Sequence, residues 1–273
     1  MKVVERPRFD QALRAARVAA YSPSEYVEQE GFMRAGEIRS LARRAGVRPG
    51  GSVLDLCCGV GGPGRLVTAE LGCSYLGIDR DASAVELARD RARAAGLSCR
   101  FVVGEVPPFP SGSCDVVLLL ETLLAFPDKE ALLQQVSRAL VPGGRFAFTV
   151  EEGRPLTESE REAMPGSDTV WPIPLTELAG RLREAGLEVA WIRECSRSHR
   201  RVAAALVDAF LTERSAIEAE LGDGALDDLL AGHGLWRDWL ATGRVRKFAI
   251  VAVKAEGPHA KGERMRRWLR SNR

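Results

Sequence analysis

One alternation limits what this chain can become. From Gly51 onward, short apolar runs trade places with helical patterns. "SVLDLCC" precedes a helix starting near Pro63, and "SYLGID" precedes "ASAVELARDRARAAG". "CRFVVGE" follows, then "CDVVLLLE" with the helix "DKEALLQQVSRAL", "GRFAFTVEE", and "LTELAGRLREAG" leading into "LEVAWIRE". Runs rich in Val, Leu and Ile suit strands buried on both faces, and parallel strands need helical crossovers between them. The expectation is an α/β fold with a doubly wound, mostly parallel sheet. Asp81 is placed to cap the second of these helices, and Gly96 stands where it should stop. "PGG" at Pro142 to Gly144 should break the chain just before the fifth strand.

Two parts lie outside that alternation. Residues 1–50 read as amphipathic helices, notably "YVEQEGFMRAGEIRSLARRAG", and are expected to form an N-terminal helical lid. The core is expected over residues 51–256, with a helical insertion at about 198–242 before the last strand, "RKFAIVAVK". Residues 257–273 form a basic tail expected to be a solvated, flexible terminus: six Lys and Arg side chains against Glu263.

Composition narrows the partners. The net charge of the 273 residues is +2, so the basic tail leaves a slightly acidic body, a poor platform for nucleic acid. No apolar run reaches the length of a membrane span, and the charged opening "MKVVERPRFD" lacks the apolar segment of a signal peptide, so a cytoplasmic protein without membrane association is expected. The six cysteines form no C-x-x-C pair and the three histidines stand at no metal-ligand spacing to them. Neither a metal nor a disulfide framework is expected.

The chemistry is concentrated in "VLDLCCGVGGPG", Val53 to Gly64. From Gly59 it spells G-x-G-x-x-G, the dinucleotide fingerprint; from Asp55 it spells D-x-C-x-G-x-G, close to the loop of S-adenosylmethionine enzymes. Asp79 lies 20 residues after Gly59 and could hold a ribose in either reading. Asp55 separates the two. A carboxylate beside the loop would repel a pyrophosphate at the helix N-terminus, whereas adenosylmethionine brings an ammonium and a sulfonium.

The segment "GEVPPFPSGSCDVVLLLETLLAFPDKEALLQQVSRALVPGGRFAFT" resembles the class I S-adenosylmethionine-dependent methyltransferases of the small-molecule type. In them a "PFP-x-G-S-x-D-h-V" stretch, here Pro108 to Val117, precedes the fourth strand, and "L-x-PGG", here Leu140 to Gly144, precedes the fifth. "LREAGLEVAWIRE", a helical block and "RKFAIVAVK" are similar to the family's last two strands, and the likeness covers roughly residues 50–254.

The resemblance implies a seven-stranded Rossmann-like sheet with an antiparallel last strand and helical lid insertions. It also implies S-adenosyl-L-methionine as cofactor and in-line methyl transfer to a small-molecule acceptor, at N or O rather than C. By the same likeness, Asp55 orients the loop and helps hold the amino end of the methionine moiety, while Gly59 and Gly61 let backbone pass under the cofactor. Asp79 accepts from both ribose hydroxyls, Arg80 lies beside the adenine, Glu105 binds the adenine amine and Val106 gives the ring an apolar wall. Glu121 faces the methionine end and the acceptor pocket.

This chain departs from the family pattern twice. Cys57 replaces the loop's first glycine, and the segment after Glu105 is two residues shorter than the common form. Cys57 and Cys58 read as two small residues beside a tight turn rather than a reactive pair. No histidine follows the fourth strand, where the chain reads "ETLLAFPD". His199, structural or catalytic, is the one histidine placed near the pocket; Tyr21, Tyr26, Glu151 and Trp171 are the other candidates there. Carboxylates in that pocket suit a cationic or amine acceptor. Two rival readings are a non-catalytic adenosylmethionine-binding partner subunit and a nicotinamide oxidoreductase.

Overall fold

The computed structural model describes residues 11–22, 24–105, 113–165, 170–222 and 224–255. Its strands are β1 (Ser52–Leu56), β2 (Ser74–Asp79), β3 (Arg100–Val103), β4 (Cys114–Leu119), β5 (Leu140–Glu152), β6 (Leu187–Glu194) and β7 (Arg246–Lys254). Its helices are α1 (Gln11–Tyr21), α2 (Ala35–Arg44), α3 (Gly62–Leu71), α4 (Ala82–Ala94), α5 (Lys129–Ala139), α6 (Glu158–Glu162), α7 (Leu175–Glu184), α8 (Ser196–Thr212), α9 (Arg214–Leu221) and α10 (Ala225–Thr242).

β1 explains why the strand runs carry almost no polar face. Leu54 and Leu56 pack with Leu132, Leu133, Leu178 and Leu182 of α5 and α7. Val53, on the other face, packs with Ile38, Val67 and Val85 of α2, α3 and α4. Asp55 shares that second face and is its polar exception. The seven strands form one sheet in the order β3-β2-β1-β4-β5-β7-β6. β1 pairs in parallel with β2 and β4, while β7 runs antiparallel to β5 and β6. The strand order reverses between β1 and β4, which makes their carboxyl ends the natural crevice of such a sheet.

A third apolar cluster lies apart from the sheet. Leu13 and Tyr21 of α1 pack there with Phe32 and with Leu206 and Phe210 of α8, Ile217 of α9 and Leu226 of α10. α2 instead lies on the sheet, in the cluster of Val53. Among the described residues no helix is long and apolar enough to cross a membrane.

Two sequence expectations are corrected. The stretch from Tyr26 is helical only from Ala35; before that the chain turns, with Ser22 at φ 74° and Glu28 at φ 63°. Gln29 explains it. Its Oε1 accepts from Val27 N (2.6 Å) and its Nε2 donates to Glu25 O (3.1 Å) and Met33 O (2.7 Å), so a side chain takes the partners a helix ladder would have taken. The "PGG" is not a break either. β5 begins at Leu140 and runs through it, with Gly143 at φ 77° and a shift of register opposite Cys114 and Val116. Val106, most of the "PFP-x-G-S" stretch and the basic tail lie outside the described residues.

Candidate functional site

After β1 the chain turns through three left-handed residues, Cys57 (φ 57°), Gly59 (φ 51°) and Gly61 (φ 70°). Glycine takes this conformation freely, whereas an L side chain such as Cys57 carries a cost of about 1–2 kcal/mol. At Gly61 a Cβ would strike the Phe101 ring; at Gly59 nothing stands within 4 Å of that position, leaving a cradle of bare backbone. The loop is stapled to the end of β2. Cys58 N donates to Ile78 O (3.1 Å) and Gly59 N to Asp79 Oδ2 (2.7 Å). Asp79 Oδ1 accepts from Asp81 N (3.0 Å), so both oxygens have backbone partners and each keeps further acceptor capacity. Asp81 caps α4 through Ser83 N and Ala84 N.

Asp55 is enclosed between β1 and β2 rather than open to solvent. It is 3% exposed, and Tyr75 OH donates to its Oδ2 at 2.5 Å. Burial pushes its carboxyl up to about 7, against the pull of the Tyr75 hydrogen bond, with the Asp79 charge adding to the rise. Asp55 therefore braces Tyr75 beneath the loop instead of lying in the open crevice. Arg80 and Glu105 are exposed. Burial, with the charges of Asp79 and Asp55, pushes the Cys57 thiol up to about 12 and raises Cys58 as well, which removes any nucleophilic pair.

The other end of the crevice is built from charge. Glu121 follows β4 at φ 60°, with its N donating to Thr149 Oγ1 (2.6 Å). Its Oε2 accepts from Phe32 N and from Met33 N (3.1 Å). Its Oε1 lies 2.7 Å from Lys247 Nζ and 3.5 Å from His199 Nδ1. Lys247 also pairs with Glu151, its register partner across β5 and β7. His199 Nε2 lies 3.5 Å from Glu37 Oε2, and Glu37 in turn accepts from Ser198 Oγ and Arg34 N (3.0 Å). The 3.5 Å approaches are ion contacts too long to be good hydrogen bonds, and neither ring nitrogen of His199 has a hydrogen-bond partner.

Glu151, His199 and Lys247 are buried, so their charges persist only through one another. Burial opposes the imidazolium, but Glu121, Cys195 and Glu37 outweigh it and raise His199 to about 10. Burial would raise Glu37, yet His199, Ser198 and the Arg34 backbone hold it at about 2. Lys247 is raised because Glu121 and Glu151 overcome its desolvation.

The structure thus brings Glu121, Glu151 and His199 together and adds Glu37 and Lys247, which sequence reasoning missed. Lys247 left little signal, because it stands beside Arg246 at the charged start of the strand "RKFAIVAVK". Tyr21 borders this cluster. Its OH donates to Gly31 O, and the Tyr26 ring lies 5.5 Å away. Trp171 belongs elsewhere: the Arg161 guanidinium lies 4.1 Å over its ring, and its carbonyl accepts from Lys129 Nζ (2.7 Å).

The stretch 24–34 spans both ends. The Val27 carbonyl occupies the place of a Gly62 Cβ, and a Gly31 Cβ would collide with the Glu121 carboxylate. Glu28 pairs with Arg65 and Arg91. Among the described residues no group of three or more His, Cys, Asp or Glu side chains is placed to hold a metal ion.

Residues 53–144 match the family model described as a methyltransferase domain. The chain is 37% identical over 158 residues to the 27-O-demethylrifamycin SV methyltransferase of Amycolatopsis mediterranei, covering 54% of this chain and 58% of that protein. It is 32% identical over 111 residues to the sterol 24-C-methyltransferase of Pneumocystis carinii, covering 39% and 29%. The chain spans 58% and 29% of the lengths of these two curated relatives. The structure of a cyclopropane synthase from Mycobacterium tuberculosis superposes with a TM-score of 0.77 at 13% identity, covering 90% of this chain and 95% of that one, a likeness of fold.

Proposed function

We propose that this chain, whose residues 53–144 match a methyltransferase domain, is a class I S-adenosylmethionine-dependent enzyme that moves a methyl group from S-adenosyl-L-methionine to a nitrogen or oxygen of a small-molecule acceptor. The observation that carries this reading is the contact of Asp79 with Gly59. It joins the acid of β2 to the bare-backbone loop of β1 at the reversal of strand order, within the matched domain. The residues fit the cofactor. Gly59 offers unshielded backbone, and Asp79 keeps acceptor capacity for hydroxyl groups. Bound there, adenosylmethionine supplies a methyl group on an already activated sulfonium.

What remains for the protein is alignment and the exclusion of water. The stretch 24–34 serves both, pinned to the loop at Gly62 and to Glu121 at the far end. Among the described residues no free base stands at that far end. His199 is held as a cation, and Glu121 and Glu151 are held by Lys247. An amine that binds neutral, or an oxygen that arrives ionised, needs no proton removed; an unactivated carbon does. Lys247 and His199 offset much of the charge of Glu121, Glu151 and Glu37, which weakens their pull on a cationic acceptor. Six unpaired cysteines support a reducing, cytoplasmic setting.

The test is release of S-adenosylhomocysteine during incubation with adenosylmethionine and panels of amines, phenols, carboxylates and phosphate esters. Release that depends on one acceptor class is the expected result. Tight cofactor binding with no release from any panel would favour the non-catalytic partner subunit instead.

A further inference from the structure

Beside the charged cluster, between α1 and α8, lies a cavity of about 470 Å³. That is room for a small molecule. Ala20, Val202 and Ala205 supply apolar wall, and Arg34, Arg193, Arg197 and Arg201 supply charge. Arg193, Arg197 and Arg201 are exposed and make no ion pair among the described residues. Arg34 lies 3.7 Å from Glu37, and its Nε is buried without a hydrogen-bond partner. Two carboxylates also line the cavity, but Glu37 already faces His199 and Ser198, and Glu194 accepts from Ser196 Oγ at 2.7 Å.

The start of α8 adds to the same sign. This 17-residue helix begins at the cavity with no acid in its first turn and no capping side chain. Its first amides point their positive end outward. Arg197 and Arg201, one turn apart, lie on the face that lines the cavity. Guanidinium forks suit paired oxygens, and several of them around one cavity select an oxyanion.

We propose that this cavity holds the carboxylate or phosphate group of a small molecule, met by Arg34, Arg193, Arg197 and Arg201, and that this molecule is the methyl acceptor. The second half rests on the methyltransferase reading above. Ser198 and Glu37 join the cavity wall to His199, whose other nitrogen faces Glu121 at the end of β4. An anion seated there lies one buried side chain, His199, from Glu121 after β4. It also supplies its own charge in a site without a free base among the described residues.

The intact chain is titrated by calorimetry with pyrophosphate and with citrate, and separately with adenosylmethionine. Wild type is compared with the double variant R197Q/R201Q, with R193Q, and with R183Q, an exposed arginine of α7 away from the cavity. Saturable binding of at least one probe is expected. It should weaken at least about tenfold in the double variant, since two charge-assisted contacts are lost, and less in R193Q. R183Q should match wild type, and adenosylmethionine affinity should hold throughout. No saturable anion binding, or equal binding in R197Q/R201Q at an unchanged melting temperature, overturns the site.

A second arm measures S-adenosylhomocysteine release from acceptor pairs that differ only in an anionic group. Release confined to the anionic members, with KM raised in R197Q/R201Q, is expected; release from the uncharged members alone refutes the acceptor half. If adenosylmethionine does not bind at all, the methyltransferase reading fails, while the anion titration still decides the site.

Discussion

The two ends of the crevice are made from different materials. At the β1–β2 end, backbone amides of Cys58 and Gly59 reach Ile78 and Asp79, and glycines set the turn. At the β4–β7 end, five buried or half-buried titratable side chains drawn from α2, β5, β7, α8 and the turn after β4 hold one another's charge. The first end depends on chain geometry. The second depends on compensation, so one lost charge exposes the rest. Predictions that separate the two follow from this contrast.

The largest effect belongs to Lys247→Met. It leaves Glu121 and Glu151 buried without their shared cation, and removing one partner of a buried pair costs roughly 3–5 kcal/mol. Chemical denaturation should show that loss, with partial recovery in the double variant Lys247→Met/Glu151→Gln. A loss below about 1 kcal/mol, the range of an exposed pair, would mean the cluster is not a closed system.

Next comes a pH contrast. Asp55 has its folded pKa raised from 3.8 to about 7, so its contribution is complete below pH 3.8 and is lost as pH rises through about 7. His199 is raised from 6.5 to about 10, so its contribution is complete below pH 6.5 and is lost through about 10. The two ends should therefore give up stability in successive windows. Melting temperature against pH should flatten in the lower window for Asp55→Asn and in the upper one for His199→Gln. The same slopes in both variants would erase the distinction.

A smaller effect is expected on binding. Asp79→Ala should weaken adenosylmethionine binding at least about tenfold, because hydrogen bonds to a charged group contribute roughly 1.5–3 kcal/mol each and 1.4 kcal/mol is a decade. Asp79→Asn keeps one acceptor oxygen and should lose less. Both variants also lose or weaken the tie to Gly59, so melting temperature is measured alongside by calorimetry. Unchanged affinity in Asp79→Ala would place the cofactor elsewhere. Smallest is Arg161→Ala, which removes a partly exposed cation over Trp171 and should cost about 0.5–1 kcal/mol with no change in cofactor affinity.

The same contrast explains what the sequence made legible. The strands and the loop announce themselves in short windows, because a buried parallel strand and a glycine turn are local patterns. Asp81 as a helix cap was legible for the same reason. Glu37, Glu121, Glu151, His199 and Lys247 lie far apart in the chain, and only the fold brings their charges within reach. Residues 26–34 read as helix because their apolar spacing is helical; the Gln29 side chain, bonding three backbone groups, overrides that spacing. Asp55 read as a cofactor ligand because its position on β1 is next to the loop. Its strand face, turned toward Tyr75 under α3, was not visible in the motif.

The central claim is that the loop between β1 and α3 is built for adenosylmethionine and not for a dinucleotide. Calorimetric titration of the intact chain with adenosylmethionine, S-adenosylhomocysteine and NADH tests it most directly. The first two should bind saturably, and NADH should not bind appreciably. NADH affinity equal to or tighter than that of adenosylmethionine would contradict it.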